Sequence, residues 1–392
     1  MSGYRNLHRE RILDDEAPIW QAQAVSLSLS LPMSLSSDEW TLFVAAADGI
    51  VRVFRAREKG TSDNLDASAL SMTCTHALLG AHQVFPPPPS HHQTHIGCSQ
   101  CQVLRNYVGD DTMAGDVVVV ALELTGTIRV WSFPENNNDL SLESIDMPKQ
   151  VTVRSQHEFV VEDATGTLMA VCPPNLFGNG DLMVAVACLD GSIATLALGL
   201  ATPKAKKEPS VAGSELGRLG SSGSIPLSLC WHPTELTIAV GRSDGLVEII
   251  QSTTTKNGNQ HHQHRLTHHS DPVRAIDYTP DGSLLVTCCD GGHVAVWDGL
   301  GVHKTLVHHV VQAHASWILG VRVFADSRRF ATSGMDGKIH VWQLDTLHAP
   351  THTFHAGGQT SNWAISLVQN RDPQRLVTGS ENGWVQVFSI DG

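Results

Sequence analysis

With 392 residues, 41% apolar and 17% charged, the chain has room for two or three ordinary domains or for one repeat array. Its formal charge of −13 excludes a nucleic-acid surface built from clustered Lys and Arg. No run reaches the roughly 18 apolar residues of a membrane-spanning helix, and the N-terminus MSGYRNLHRERILDDE is too polar for a secretory signal.

In chain order, Tyr4 to Leu13 alternates but has no strand partner near it in sequence. Ile19-Trp20, Leu42 to Ala46, a turn at Asp48-Gly49 and Ile50 to Phe54 make a first repeat of short strands. The second repeat holds Asp116 to Leu122 and Thr127 to Trp131. It is swollen by an insertion after Gly80-Ala81-His82 that contains Pro86 to Pro89, and four prolines cannot lie in an inner strand. Asp181 to Ala187, Asp190-Gly191 and Ser192 to Leu196 form the third. Ala201 to Gly223 is a flexible loop by composition, and its Lys204, Lys206 and Lys207 read as solvated. The fourth repeat is Ser224 to Trp231, Leu236 to Val240, Asp244-Gly245 and Leu246 to Ile250, and the fifth is His269, Val273 to Tyr278, Leu284 to Cys288 and His293 to Asp298. The sixth is Trp317 to Phe324, Arg329 to Ser333, Asp336-Gly337 and Lys338 to Trp342. The seventh is Asn362 to Leu367, Arg375 to Ser380, Asn382-Gly383 and Trp384 to Phe388.

The third strands end at Phe54, Trp131, Leu196, Ile250, Trp297, Trp342 and Phe388, and the last three intervals are 47, 45 and 46 residues. These match the roughly 40 to 45 residue period of a WD repeat, and the identified insertions lengthen the earlier intervals. The expectation is all-β: a single seven-bladed WD-repeat β-propeller over residues 1–392, with flexible insertions near 83–97 and 201–223. Residues 1–14 supply a strand that completes the last blade and covers its open edge. The glycines are absorbed by hairpin turns, and the eight scattered cysteines read as reduced thiols.

His314, Thr332, Asp336 and Trp342 stand at the spacings of a side-chain relay that stiffens such a blade, the histidine bonding the turn aspartate and the strand hydroxyl and indole N–H continuing the chain. His269, Thr287 and Trp297 repeat part of it. The turn-aspartate positions of the second, fifth and seventh repeats are filled by Thr125, Gly291 and Asn382.

HASWILGVRVF, the preceding DPVRAIDYTPDGSLLVTCCDGGHVAVWD, DDEAPIW near the start and NGWVQVFSIDG at the end resemble the corresponding stretches of superkiller-type WD-repeat proteins. The resemblance is strong over residues 225–392, traceable over 10–54 and weak between. It implies a propeller subunit of the Ski complex, cytoplasmic, and in animals and plants also found in the RNA polymerase II-associated factor complex and hence in the nucleus. The implied partners are the complex's tetratricopeptide scaffold and its helicase, which would handle the RNA. The chain is then a monomeric propeller within a larger complex.

The candidate partner-binding residues are Trp20, Trp317 and Trp363, each at or beside the start of an inner strand, where blades ring one mouth of the channel. They either form a hot spot for a peptide or pack between blades. Asp14, Asp15, Glu16 and Asp271 lie near the same mouth and favour a basic partner segment. In HHQTHIGCSQC, His92, His95, Cys98 and Cys101 recur every three residues, but strand alternation would turn the two cysteines apart, so the reading is ordinary thiols after a polar insertion. His261, His262, His264 and His268 are taken as exposed loop. With no GxSxG, phosphate-cradling glycine loop or HExxH, no catalytic, metal or cofactor role is assigned, and the chain is read as a non-enzymatic scaffold. A substrate receptor of a cullin-type ubiquitin ligase is the first alternative. Its WDxR-like signature is poor, since Phe54-Arg55-Ala56-Arg57 keeps only the arginine. A G-protein-β-like signalling scaffold is the second, and residues 1–19 are too short for its coiled coil.

Overall fold

The computed structural model describes residues 5–11, 19–25, 39–46, 51–58, 70–79, 98–107, 116–123, 126–134, 151–154, 157–161, 166–173, 176, 181–199, 213–219, 223–251, 263–300, 304–355, 361–368 and 374–390. Strands account for all the regular structure among them. The first unit, residues 1–108, 112–160 and 364–392, contains β1 (Arg5–Arg11), then β2 (Ile19–Val25), β3 (Glu39–Ala46), β4 (Val51–Glu58) and β5 (Leu70–Leu79). Next come β6 (Cys98–Tyr107), β7 (Asp116–Glu123), β8 (Thr127–Pro134), β9 (Val151–Arg154) and β10 (His157–Val160). The second unit, 109–111 and 161–363, holds β11 (Gly166–Val171), β12 (Asp181–Cys188), β13 (Ile193–Gly199), β14 (Gly213–Leu219), β15 (Pro226–Trp231), β16 (Thr237–Arg242), β17 (Leu246–Gln251) and β18 (Gln263–Thr267). It continues with β19 (Val273–Tyr278), β20 (Leu284–Cys289), β21 (Val294–Asp298), β22 (Leu306–Val310), β23 (Ile318–Val323), β24 (Arg329–Gly334), β25 (Lys338–Gln343) and β26 (His352–His355). The chain ends in β27 (Asn362–Val368), β28 (Gln374–Ser380) and β29 (Trp384–Ile390).

These strands make seven sheets, and the fold is an all-β WD-repeat β-propeller. Blades one, two and seven are β2-β3-β4-β5-β9, β6-β7-β8-β10 and β27-β28-β29-β1, and blades three to six are β11–β14, β15–β18, β19–β22 and β23–β26, each paired in sequence order. The last blade takes its outer strand from the N-terminus: β1 runs antiparallel to β29 from Arg5 opposite Ser389 to Arg11 opposite Trp384.

No blade has a core of its own. The middle strands are buried on both faces, as in β20, where only Leu284 keeps partial exposure, because within a unit neighbouring sheets pack face to face. Within the second unit one apolar cluster joins blades three and four through Ala185, Trp231 and Val240. Another joins four and five through Val247, Ile276 and Trp297, and a third joins five and six through Val286, Ile318 and Trp342. Polar ties run the same way: Trp231 Nε1 donates to the Ala170 carbonyl at 2.9 Å, and Val323 N–H to Asp277 at 2.8 Å. The outer strand β22, LVHHV, lies almost wholly in solvent.

Two features depart from expectation. Gly213–Leu219, inside the segment read as a flexible loop, is β14 and pairs with β13. Its Gly and Ser content lowers β-propensity, but an outer strand needs only a backbone to pair with, and the blade edge supplies it. Blade one has a fifth strand, with β9 parallel to β5. The proline run, the insertion 83–97, the turn at Asp48-Gly49, residues 201–212 with their lysines, Asp14 to Glu16, Thr125, and His261 and His262 lie outside the described residues.

Candidate functional site

Blade six carries an unbroken polar relay. His314 Nδ1 lies 3.0 Å from Asp336 Oδ1, its Nε2 lies 2.8 Å from Thr332 Oγ1, and Trp342 Nε1 donates to the same hydroxyl at 2.9 Å. Asp336 also accepts the backbone N–H groups of Ala315 and Lys338. Burial pushes its carboxyl up, but these hydrogen bonds and His314 outweigh it and hold the pKa at about 2. Gly337 takes the positive φ, +72°, that the tight turn requires. Gly334 is glycine for a different reason: a Cβ there would stand 2.4 Å from His314 Nδ1 and 2.7 Å from Asp336 Oδ1.

The same positions in the other blades show what happens as the relay is dismantled. In blade five, His269 Nε2 reaches Thr287 Oγ1 at 2.8 Å and Trp297 Nε1 donates to it at 2.9 Å. Gly291 replaces the aspartate, however, and His269 Nδ1 is buried without a partner. Burial, followed by His268 and His293, pulls the His269 pKa down to about 4. In blade seven Thr378 keeps the hydroxyl but faces Phe388 in place of tryptophan, and the hydroxyl is an orphan. Blade two has Trp131 with Ala121 in the threonine position, so the indole N–H is the orphan.

Blades two and four fill the gap with charge. The Gly334 position is Arg242 in blade four and Glu123 in blade two, and the His340 position is Glu248 and Arg129. Arg242 and Glu248 form an ion pair with both side chains fully buried, and Arg242 Nη1 also donates to the carbonyls of Gly191 and Ser224, stitching blade four to the blade-three turn. Glu123 and Arg129 pair in the reverse order.

On the surface beside the relay, Trp317 is 42% exposed. The Arg274 guanidinium stacks 4.7 Å from its ring centroid, and Asp290 holds Arg274 at 2.6 Å. The backbone around it repeats from blade to blade: Ser243, Asp290 and Met335 donate their N–H groups to the carbonyls of Ile225, Pro272 and Trp317. This equivalence gathers exposed Ile225 and Met335, with Leu189 just before the blade-three turn, into one class of rim positions that the sequence pattern did not single out. Their signal is their place directly before the turn residue or at the opening of the inner strand. Asp271 is partly exposed, accepts Ser270 Oγ–H, and packs its carboxylate against Gly291. Trp20 and Trp363 sit in β2 and β27, and their side chains lie outside the described residues, as do those of His92, His95 and Cys98. Cys101 is buried, and burial pushes its thiol up to about 12, which disfavours the thiolate a metal would need. The one triad among the described residues with metal-ligand proximity is His314, Asp336 and His340.

The WD domain, G-beta repeat family model matches residues 260–298 and 305–343. The chain is 31% identical over 116 residues to DDB1- and CUL4-associated factor 10 of Xenopus laevis, covering 30% of this chain and 24% of that protein. It is 29% identical over 186 residues to COMPASS component SWD3 of Saccharomyces cerevisiae, covering 44% and 54%. It is 23% identical over 153 residues to a WD repeat-containing protein 91 homolog of Dictyostelium discoideum, covering 38% and 19%. The chain thus spans about a quarter of the length of the frog relative it matches.

Proposed function

Starting from a WD-repeat β-propeller scaffold, we propose that this chain is the WD-repeat subunit of a Ski-type RNA-decay complex, located in the cytoplasm with a nuclear pool in the polymerase-associated elongation complex. It holds the tetratricopeptide scaffold through the rim on which Trp317 stands. The observation that carries this reading is Trp317 itself. It opens an inner strand inside the HASWIL segment that resembles the superkiller-type proteins, and it is exposed and stacked under Arg274. A tryptophan so placed offers a large, already oriented face at low entropic cost, as hot-spot residues do. The net charge of −13 agrees with leaving RNA to the helicase.

A second reading, substrate receptor of a cullin-type ligase, draws on the likeness to DDB1- and CUL4-associated factor 10. Against it, Trp297-Asp298-Gly299-Leu300 ends in leucine where the WDxR signature has arginine. Affinity purification from native extract separates the two. Recovery of the tetratricopeptide scaffold and helicase supports the first, and recovery of DDB1 in their place overturns it. Trp317→Ala, with Trp363→Ala, is expected to weaken scaffold recovery at least about 30-fold, the scale of a hot-spot loss, with little change in melting temperature for the exposed Trp317 alone. Retained binding in the double variant would remove the rim from consideration.

A further inference from the structure

We propose that His314, Asp336 and His340 form a binding site for a divalent transition-metal cation of the zinc type, at the cleft between the blade-five turn and blade six. One ring nitrogen from each histidine and one carboxylate oxygen lie within 4.8 Å of one another. The three side chains line a cleft of about 510 Å³ together with Gly291, Gln312 and Lys338. Gly291 lines the cleft from the blade-five turn.

The ligands are oriented from behind. His314 Nε2 is held by Thr332 Oγ1 at 2.8 Å, and His340 Nδ1 by Thr353 Oγ1 at 2.7 Å, so each imidazole is fixed through the nitrogen that does not face the cleft. Hydroxyl partners of this kind set tautomer and ring direction in metal-binding histidines. The two rings stand 4.4 Å apart, and His340 Nε2 makes no hydrogen bond among the described residues. Asp336 is fixed by the N–H groups of Ala315 and Lys338. The 3.0 Å between His314 Nδ1 and Asp336 Oδ1 is about 0.3–0.4 Å short of the separation of two ligands on a tetrahedral ion with bonds of about 2.0–2.1 Å, so the two groups must part slightly to admit it. Cation binding at Nδ1 shifts that nitrogen's proton to Nε2, so the imidazole stays neutral and Nε2–H becomes the donor to Thr332 Oγ1. Two imidazoles and one carboxylate favour zinc, copper or nickel over calcium or magnesium. Three protein ligands leave the fourth position open to the cleft, for water or a donor from a partner. The Lys338 ammonium lines the same cleft and opposes the cation.

The test is titration of the chelator-stripped full chain with Zn²⁺ by calorimetry, with Co²⁺ absorption as a spectroscopic readout of nitrogen and oxygen ligation. The wild type should bind one ion at micromolar or lower concentration. His340→Ala and the more conservative His340→Gln should weaken binding at least tenfold. His340→Ala empties a buried site and should lower the melt, whereas His340→Gln, which keeps most of the volume and leaves the relay through His314, Thr332 and Trp342 intact, should keep a cooperative melt close to the wild type's. Lys338→Ala should tighten binding several-fold. His268→Ala with His309→Ala, which removes the neighbouring ring pair 5.1 Å apart, should leave binding unchanged. Absence of a saturable site, wild-type affinity in both His340 variants, or loss of binding in the His268 and His309 double variant overturns the proposal.

Discussion

Thr332 shows at the scale of one residue how finely a blade is tuned: its hydroxyl meets His314 and Trp342 at once, with nothing but buried chain around it. An orphaned buried donor or acceptor costs about 1–3 kcal/mol, so each blade that loses one relay member carries that cost at Trp131, Thr378 or His269. His269 turns the cost into a pH dependence. Its folded pKa, about 4, and that of His340, lowered to about 4 by burial and by His314, both lie below the ordinary value of 6.5. Protonation therefore favours the unfolded chain. The stability these neutral rings contribute is whole above pH 6.5 and is lost as pH falls from 6.5 towards 4, by about 2 kcal/mol from His269 and by less from His340 between pH 7 and 5. Gly291→Asp supplies the missing acid to His269 Nδ1, at the expense of swinging the Asp271 and His293 side-chain ends aside. Urea unfolding at pH 7 and 5 should show a smaller acid loss in Gly291→Asp than in the wild type, and an equal loss would refute the account. The relay itself was legible because its members have fixed spacing and distinctive chemistry. The orphan was legible only as Gly291 out of place.

At the scale of the element, β16 and β17 hold a charge pair that nothing in the sequence announces. Arg242 and Glu248 look like the polar residues of a half-solvated strand, and only the sheet packed over them takes both out of water. The same concealment hides β14 in Gly- and Ser-rich sequence and makes β9 unforeseeable, since a parallel pairing with β5 leaves no local signal. The carboxylate of Glu248 is approached by two arginines in opposite circumstances. Arg242 is fully buried, whereas the Arg265 side chain is 58% exposed at 3.5 Å. Removing a buried partner strands a charge and costs about 3–5 kcal/mol, whereas an exposed pair is worth under about 1 kcal/mol. Arg242→Met should therefore lower the unfolding free energy by several times the effect of Arg265→Ala. Comparable losses in urea melts would mean that Glu248 is hydrated after all.

At the scale of the whole molecule, the first strand pairs with the last. β1 covers the edge of β29 over Arg5 to Arg11, a pairing legible because Tyr4 to Leu13 alternate without a partner near them in sequence. Deleting residues 1–13 bares that edge and should lower the melting temperature by on the order of 5–10 °C. An unchanged melt would show that β1 contributes pairing without stability. The repeat count and register were readable from third-strand spacing, whereas among the exposed apolar positions at the strand openings and turns only Trp317 was singled out.

The reversed ion pairs of blades two and four set a limit on how such a chain can be rearranged. A blade reads as a module that could be copied, shuffled or grafted, yet a chimera joining the second strand of blade two to the third strand of blade four would bring Glu123 together with Glu248 in a dry interior, and the reciprocal graft would join Arg242 to Arg129. Each hybrid would bury two like charges against a single, partly exposed counterion, Arg265 beside Glu248 or Glu158 beside Arg129. The two blades therefore descend as matched strand pairs, and a repeat here is heritable only as a whole.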